Sequence, residues 1–153
     1  VRRHGGRVVF DNNYRPRLWP DVAAARQAFG QAMALSDIAF ITLDDEQLLH
    51  GDASMDITLA RTLALNCPEL VIKRGVLPTL IKLGGSTVEE VPTVPVPKVV
   101  DTTAAGDSFA GAYLASRLSG QGALEAAAAG NALAALVIQH KGAIIAPELM
   151  LGY

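Results

Sequence analysis

The sequence predicts an α/β protein with a mainly parallel sheet. Short runs of β-branched and aromatic residues alternate with longer segments of helical periodicity, which is the pattern of βαβ units. Polar clusters follow three of the predicted strands, and in parallel sheets ligands bind beyond the carboxyl ends of the strands. The three clusters are NNYR at residues 12–15, TLDD at residues 42–45 and KRG at residues 73–75.

Composition and charge narrow the functional classes. The chain has 153 residues, of which 50% are hydrophobic, and a formal net charge of −2. This size is sufficient for one domain with a hydrophobic core, and the charge gives no reason to expect nucleic acid or an anionic membrane as a partner. The single cysteine, Cys67, excludes an internal disulfide bond and favours a cytoplasmic location. The longest apolar run, residues 123–138, is interrupted by Glu125, Gly130 and Asn131, so it predicts a buried helix and no membrane span.

The first half of the chain carries clear start and stop signals. Apolar and β-branched runs predict buried strands, and the polar, proline-containing segment after the first of them predicts a loop. Asp21 is placed to cap the first helix, and TLDD from Thr42 to Asp45 fits a capping box that opens a short second helix. The predicted strands cover residues 8–11, 38–41 and 70–73, and the predicted helices cover residues 22–34, a short segment ending at residue 49, and a third segment from Asp56 that Pro68 ends.

The second half continues this alternation. The turn at residues 74–75 predicts a hairpin to a fourth strand, and three prolines in residues 87–99 favour an edge strand or an extended connection. In the third helix we expect one buried apolar face. That face consists of Ile57, Leu59, Ala60, Leu63 and Ala64. The remaining predicted elements are a strand at residues 79–83 and helices at residues 108–118 and 123–140.

The stretch DTTAAGDSF, residues 101–109, carries the strongest chemical signal. Ala104, Ala105 and Gly106 lack bulk, so their amides can approach a phosphate at the start of a helix, where free N–H groups and a partial positive charge meet. Asp107 can accept a hydrogen bond from an attacking hydroxyl and take its proton. The alternative interpretation is that Asp107 only caps a helix after a glycine turn.

The longer stretch DTTAAGDSFAGAYL, residues 101–114, resembles the second signature of the PfkB, or ribokinase-like, sugar kinases. Four further segments resemble its 2-keto-3-deoxygluconate kinase branch. They are FDNNYRPRLW from residue 10, DDEQLLHGD from residue 44, VIKRG from residue 71 and KGAII from residue 141. The resemblance implies a ribokinase-like three-layer α/β/α sandwich. In that fold residues 1–153 would form the C-terminal, nucleotide-binding portion of one kinase domain, and the N-terminal half with its lid would be absent.

The resemblance also implies roles for single residues. It makes Asp107 the catalytic base and the amides of Ala104, Ala105, Gly106 and Asp107 an anion hole. It places Asn13, Tyr14 and Arg15 near substrate and nucleotide, Lys73, Arg74 and Gly75 near the nucleotide, and Asn131 on the adenine side. Arg15 has a physical argument of its own, since a guanidinium binds the carboxylate of a sugar acid well and a neutral sugar needs no such group.

Alternatives stay open for several of these residues. Arg15 could be solvated or paired with Asp11, the KRG cluster could be ordinary turn chemistry, and Asn131 could serve helix packing. Thr42 and Asp45 stand where many ribokinase-like enzymes have an Asn-x-x-Glu motif linked to magnesium. The chain departs from that motif, and the capping box explains both residues.

The function implied is ATP-dependent phosphorylation of 2-dehydro-3-deoxy-D-gluconate to its 6-phosphate. Mg²⁺ is expected with ATP, held mostly by phosphates and water, and the separated His4, His50 and His140 predict no protein metal site. The alternatives are a PfkB kinase for a neutral sugar such as fructose or ribose, and a non-catalytic nucleotide-binding fragment. A dinucleotide-dependent oxidoreductase is disfavoured because no G-x-G-x-x-G follows a strand. Whether this chain is active alone and whether it forms homo-oligomers are left open.

Overall fold

The computed structural model describes residues 1–85 and 87–150 of the chain. Residues 86 and 151–153, which fall within the predicted domain, lie outside the described residues. The strands are β1 (Val9–Asp11), β2 (Ile38–Thr42), β3 (Glu69–Arg74), β4 (Leu77–Leu83) and β5 (Glu89–Val91). The helices are α1 (Val22–Leu35), α2 (Leu43–His50), α3 (Met55–Leu63), α4 (Ala105–Leu118) and α5 (Ala123–Val137). Short 3-10 helices occur at Arg2–His4, Pro16–Leu18 and Pro147–Met150.

The chain divides into two compact units. The first unit contains Val1–Arg74 and Leu80–Val88, and the second contains Gly75–Thr79 and the described residues from Glu89 onward. The strands are hydrogen-bonded in the order β1-β2-β3-β4-β5. Strands β1, β2 and β3 are parallel, whereas the two-residue connection between β3 and β4 makes them a hairpin. The predicted α/β class and mainly parallel sheet are therefore confirmed.

The core of the first unit consists of the central strands β2 and β3. Ile38, Ala39, Phe40 and Ile41 are almost fully buried, and so are Leu70, Val71 and Ile72. A parallel strand covered on both faces has no solvent side, which explains why these segments are continuously apolar instead of alternating. The register pairs Phe40 with Val71 and Thr42 with Lys73, so the polar residues that follow both strands lie at the same sheet edge.

An aromatic cluster closes the first unit beside α1. The rings of Phe10, Tyr14 and Trp19 all meet Phe29 of α1 nearly edge-on, with ring centroids 5.4, 5.8 and 5.5 Å away. Such T-shaped pairs add to the burial of apolar area. The half-buried Trp19 thereby helps to anchor the loop after β1.

The second unit is built on the packing of α4 against the alanine-rich α5. A Cβ added at Gly130 would lie 2.7 Å from Cδ2 of Phe109, so only glycine permits this approach of the helices. The Phe109 and Tyr113 rings stack with centroids 6.0 Å apart, and both residues are buried. Small residues on α5 thus allow close contact between the two helices.

Two local predictions were wrong, the first of them in part. Of the apolar face expected in α3, Leu59 and Leu63 pack against the core, whereas Ile57 is exposed. The fully buried residues of this helix are Thr58 and Thr62, because each threonine hydroxyl donates to the carbonyl four residues earlier and can be buried without an unpaired group. The N-cap of α3 is Ser54, whose oxygen accepts from the Ile57 amide. In the TLDD segment Thr42 is the N-cap of α2 but its side chain makes no cap hydrogen bond, so the capping box does not form.

Candidate functional site

The first turn of α4 is built by an unusual residue conformation at its N-cap. Ala104 has φ 60° and ψ 13°, which is left-handed backbone that L-residues other than glycine rarely adopt. Its carbonyl accepts from both the amide and the hydroxyl of Ser108, each at 2.8 Å, and the Ala105 amide donates to Thr102 O at 3.1 Å. These bonds fix the turn that leads into the helix, so α4 begins three residues earlier than predicted.

The donors of this first turn are open. Within residues 1–85 and 87–150, no hydrogen bond reaches the amides of Gly106 or Asp107, or the Asp107 carboxylate. Asp107 is exposed and Gly106 is half-buried. Unpaired N–H groups and the helix macrodipole favour an anion at such a terminus. The structure therefore brings the predicted amides and the predicted base together on one accessible helix turn.

Asp101 ties the segment before α4 to the segment after α5. Its Oδ1 accepts from the Thr103 amide and its Oδ2 from the Gly142 amide, each at 2.9 Å. Hydrogen bonds from Thr103, and the one from Gly142, lower the pKa of Asp101 to about 2. The amides of Val100 and Asp101 also donate to Ile138 O, at 2.8 and 3.2 Å. Sequence reasoning assigned no separate role to Asp101.

The predicted cations of the first unit are paired. Lys73 Nζ lies 2.9 Å from Asp11 Oδ2, and its side chain is only 12% exposed. Arg15 pairs with Asp45 at 3.2 Å and not with Asp11, so the Asp11 alternative for Arg15 was wrong. The sequence analysis explained Asp45 by a capping box, but in the structure Asp45 forms this ion pair with Arg15.

The Arg15 guanidinium is held by one nitrogen. Nη1 donates to Tyr14 O at 2.8 Å and to both oxygens of Asp45 at 3.2 and 3.3 Å. Among the described residues, no bond is found to Nε or Nη2 of Arg15, and 55% of the side chain is exposed. The edge formed by Nε and Nη2 is the one that binds a carboxylate through two parallel hydrogen bonds.

Sequence reasoning missed Asn12, the neighbour of the predicted Asn13. Asn12 is 1% exposed, and its Oδ1 accepts from the Thr42 amide at 2.8 Å while its Nδ2 donates to Thr42 O at 3.1 Å. The side chain thus continues the sheet hydrogen bonding beyond the end of β1. Asn13 itself is exposed, and its amide donates to Asp11 Oδ1 at 3.2 Å. Two adjacent asparagines in a polar loop carry no signal that distinguishes the buried one.

Glu46 was also missed, and it is the centre of a buried charge network. Its side chain is 6% exposed and its Oε1 lies 2.8 Å from Arg61 Nη1 and 3.4 Å from His50 Nε2. Asn12 Nδ2 donates to its Oε2 at 3.2 Å, and Arg61 also pairs with Asp52 at 2.6 Å. The hydrogen bond from Arg61 lowers the pKa of Asp52. The network borders a cavity of about 430 Å³ that is otherwise mainly apolar.

Gly75 and Asn131 belong to the second unit. Gly75 has φ +62° in the turn between β3 and β4, a conformation that suits glycine. Asn131 is buried, its Oδ1 accepts from Thr79 Oγ1 at 2.9 Å, and its Nδ2 donates to Pro92 O at 3.0 Å. This geometry gives Asn131 a structural role in the second unit, and its nucleotide contact stays a prediction.

The predicted site residues are divided between the two units. Asn13, Arg15 and Lys73 lie in the first, and Gly75, Ala104–Asp107 and Asn131 lie in the second. A mainly apolar cavity of about 660 Å³ also lies along α4 and α5, where Ala112, Leu133 and Ile145 contribute to its lining. In the part of the chain that the structure describes, no three His, Cys, Asp or Glu side chains are grouped to hold a metal ion, and no helix has the length and hydropathy for a membrane crossing.

Fold and site together define an α/β protein with polar groups at the strand ends and an accessible helix N-terminus at α4. The chain matches the pfkB family carbohydrate kinases over residues 1–149, and it belongs to that family. It is 50% identical over 151 residues to a 2-dehydro-3-deoxygluconokinase of Dickeya dadantii (strain 3937), covering 97% of this chain and 49% of the relative. The chain therefore spans about half the length of the curated relatives it matches. Its assignment to their C-terminal half stays a prediction.

Two solved structures show the same ribokinase-like fold. Aminoimidazole riboside kinase from Salmonella enterica, complexed with aminoimidazole riboside and an ATP analogue, aligns with a TM-score of 0.84 and 26% identity over 98% of this chain and 53% of that one. A protein from E. coli described as ribokinase II, in complex with ATP and Mg²⁺, aligns with a TM-score of 0.78 and 30% identity over 94% of this chain and 46% of that one.

Proposed function

We propose that the protein containing this chain transfers the γ-phosphoryl group of ATP to the 6-hydroxyl of 2-dehydro-3-deoxy-D-gluconate. The observation that carries the proposal is the accessible first turn of α4, where the Gly106 and Asp107 amides have no partner among the described residues and Asp107 is exposed. The family membership and the 50% identity to a kinase of that name support the choice of reaction and substrate.

Asp107 acts as the base in this proposal. The 6-hydroxyl oxygen attacks the γ-phosphorus, the bond to the β-phosphate oxygen breaks to release ADP, and the hydroxyl proton passes to the Asp107 carboxylate. A loose transition state develops little demand for basicity until late, so an ordinary carboxylate suffices. Its exposure on the helix turn leaves it accessible to a substrate hydroxyl.

The amides of Ala104 to Asp107 stabilise the transferring group. Charge on the equatorial oxygens grows as the phosphoryl group moves, and preorganised N–H donors at a helix N-terminus need no reorganisation to meet it. The amides of Gly106 and Asp107 have no partner in the described part of the chain, so binding would break no bond. The small side chains of Ala104, Ala105 and Gly106 keep the approach unhindered.

Magnesium would arrive with the nucleotide. When bound with the nucleotide, Mg²⁺ would neutralise charge on the ATP phosphates. In this proposal the ion is held mainly by phosphates and water. The groups of the chain that act on the transferring phosphoryl group are the carboxylate of Asp107 and the neighbouring amides.

Arg15 binds the carboxylate of the sugar acid. Its Nη1 is occupied by Asp45 and Tyr14, which orients the guanidinium and leaves the Nε and Nη2 edge for a second carboxylate. Lys73, Gly75, Asn13 and Asn131 are proposed to contact nucleotide or substrate as the family resemblance implies. For Lys73 this requires that phosphate compete with Asp11 for the ammonium group.

The test is Asp107→Asn in the complete protein, with Asp56→Asn as the matched control. Asp56 is also an exposed aspartate in the first turn of a helix, α3. We expect Asp107→Asn to reduce kcat about 10²–10⁴-fold, which is the usual contribution of a general base. The control Asp56→Asn should leave kcat unchanged. ADP release coupled to sugar-acid consumption is the measurement. Turnover of Asp107→Asn within a few-fold of wild type would remove the assigned base.

A further inference from the structure

We propose that Asp101 is a positioning residue that holds the open amides of the α4 first turn in the geometry needed for phosphoryl transfer. The inference rests on the proposed function and adds a residue to which the motif comparison gave no role. Asp101 does not itself face the reacting atoms in this proposal. It acts through the backbone of residues 102–106.

The carboxylate of Asp101 joins two segments of the second unit. Oδ1 binds the amide of Thr103, two residues ahead, and Oδ2 binds the amide of Gly142, 41 residues ahead. The Val100 and Asp101 amides meet the carbonyl of Ile138, which caps the C-terminal end of α5. Four hydrogen bonds therefore fix the point from which the amide turn departs.

The amide turn needs such a support. Ala104 adopts the left-handed backbone conformation, which is unfavourable for a residue with a Cβ. Such a conformation persists only where the surrounding structure holds it in place. The turn is set on one side by Ser108, which donates twice to the Ala104 carbonyl, and on the other by Asp101 through Thr103. If the Asp101 side is lost, the open amides of Gly106 and Asp107 are free to rotate away from a phosphoryl group.

Only an ionised carboxylate accepts both amides at once. An asparagine would offer one oxygen and direct an NH₂ group at the second N–H. The pKa of Asp101 is lowered to about 2, first by the hydrogen bond from the Thr103 side chain and then by those from the two amides, and this keeps the carboxylate ionised near neutral pH. Gly142, with φ +87°, also lies in backbone that suits glycine, so both ends of the link have a defined geometry.

The experiment compares Asp101→Ala and Asp101→Asn with Asp37→Ala in the complete protein. Asp37 is a matched control in the first unit, because its Oδ2 accepts a backbone amide, that of Val8, at 2.7 Å. We expect Asp101→Ala to lower kcat about 100-fold, as for a small misplacement of reacting groups, with sugar-acid KM within about threefold of wild type. The kcat of Asp101→Asn should lie between those of Asp101→Ala and the wild type. If Asp101→Ala does not accumulate as folded protein, Asp101→Asn provides the comparison.

A second measurement separates positioning from general structure. Binding of Mg-ADP with aluminium fluoride, a transition-state mimic, should weaken in the Asp101 variants while binding of Mg-ADP alone stays unchanged. A kcat within threefold of wild type for Asp101→Ala, or equal losses of ADP and mimic binding, would overturn the positioning role. A wild-type protein without kinase activity would overturn the proposed function and this role with it. Full activity in Asp107→Asn with a large loss in Asp101→Ala would reject the base and leave the positioning role standing.

Discussion

The carboxyl ends of β1–β3 and the first turn of α4 are both rich in polar groups. Near the strand ends these groups are paired with one another, whereas at the first turn of α4 several are unpaired. In the first region three ion pairs form, which are Lys73–Asp11, Arg15–Asp45 and Glu46–Arg61. In the second, the Asp107 carboxylate and the amides of Gly106 and Asp107 have no partner among the described residues. Paired groups hold a structure together, whereas open groups at an accessible helix end are available to a ligand.

Hydrogen-bond pairing therefore separates structural from chemical roles among polar residues that belong to one motif. Leaving a polar group unpaired costs stability unless water or a ligand meets it, so open donors in a defined geometry indicate use. Substitutions in the paired region should therefore cost stability first. Substitutions in the open turn should cost turnover first.

Glu46→Ala should have the largest effect on folding. It leaves the Arg61 guanidinium without one of its two carboxylates and removes the Oε2 that accepts from Asn12. Breaking a buried ion pair from one side costs about 3–5 kcal/mol, and the half-exposed Arg61 places the expected loss near the lower figure. Urea denaturation measures it, with Asp44→Ala, at an exposed position of the same helix, as the control. Equal stabilities of the two variants would show that the Glu46 network is not what holds this region.

Arg15→Ala tests whether one paired residue also has a chemical role. The lost charge-assisted hydrogen bonds should raise the KM for the sugar acid about 10–100-fold, and the stability should change by less than about 1 kcal/mol because 55% of the Arg15 side chain is exposed. Arg17→Ala, at an exposed position of the same loop, is the control. An unchanged KM in Arg15→Ala would assign Arg15 to the paired, structural group.

Gly130→Ala and Gly111→Ala separate the packing of α4 from its open turn. A Cβ at Gly130 would meet Phe109 at 2.7 Å, whereas one at Gly111 has nothing within 4 Å. Overpacking should cost Gly130→Ala about 1–3 kcal/mol, and Gly111→Ala should gain about 0.5–1 kcal/mol of helix stability. Thermal unfolding compares the two. A destabilised Gly111→Ala would contradict the open space seen at that position.

Much of the fold could be predicted because its signals are local. The continuous apolar runs around Phe40 and Val71 predict buried parallel strands, and Asp21 does cap α1 by accepting from the Ala24 amide. The DTTAAGDSF stretch predicts a helix start with accessible amides, and the structure places Gly106 and Asp107 there. In each case the deciding interactions lie within a few residues of one another.

What could not be predicted depends on residues distant in sequence. The local sequence predicts a capping side chain at Thr42, but that side chain makes no capping hydrogen bond. The backbone of Thr42 is instead hydrogen-bonded by Asn12, 30 residues away. Glu46 reads as a solvated helix residue until Arg61, 15 residues later, meets it in the interior. No local periodicity encodes such pairs, because tertiary packing decides which polar side chain becomes buried.

His50 gives the smallest and most selective test of the paired region. Burial lowers its pKa below 6.5, the nearby Arg61 and Arg26 lower it further, and Glu46 and Asp52 oppose them without reversing the direction. The folded protein then binds this proton more weakly than the unfolded chain does. The stability that follows is complete above the unfolded pKa and falls as the pH drops through the folded pKa.

The urea midpoint of the wild type should therefore decrease between about pH 7.5 and about pH 5.5, and His50→Gln should show a shallower decrease over that interval. Asp101 and Asp52 do not contribute there, since their hydrogen bonds keep both pKa values below the ordinary aspartate range. His140→Gln, with its histidine in the second unit, is the control. A wild-type midpoint that rises on acidification would mean that the Glu46 carboxylate dominates over burial, and that His50 is charged as part of the network.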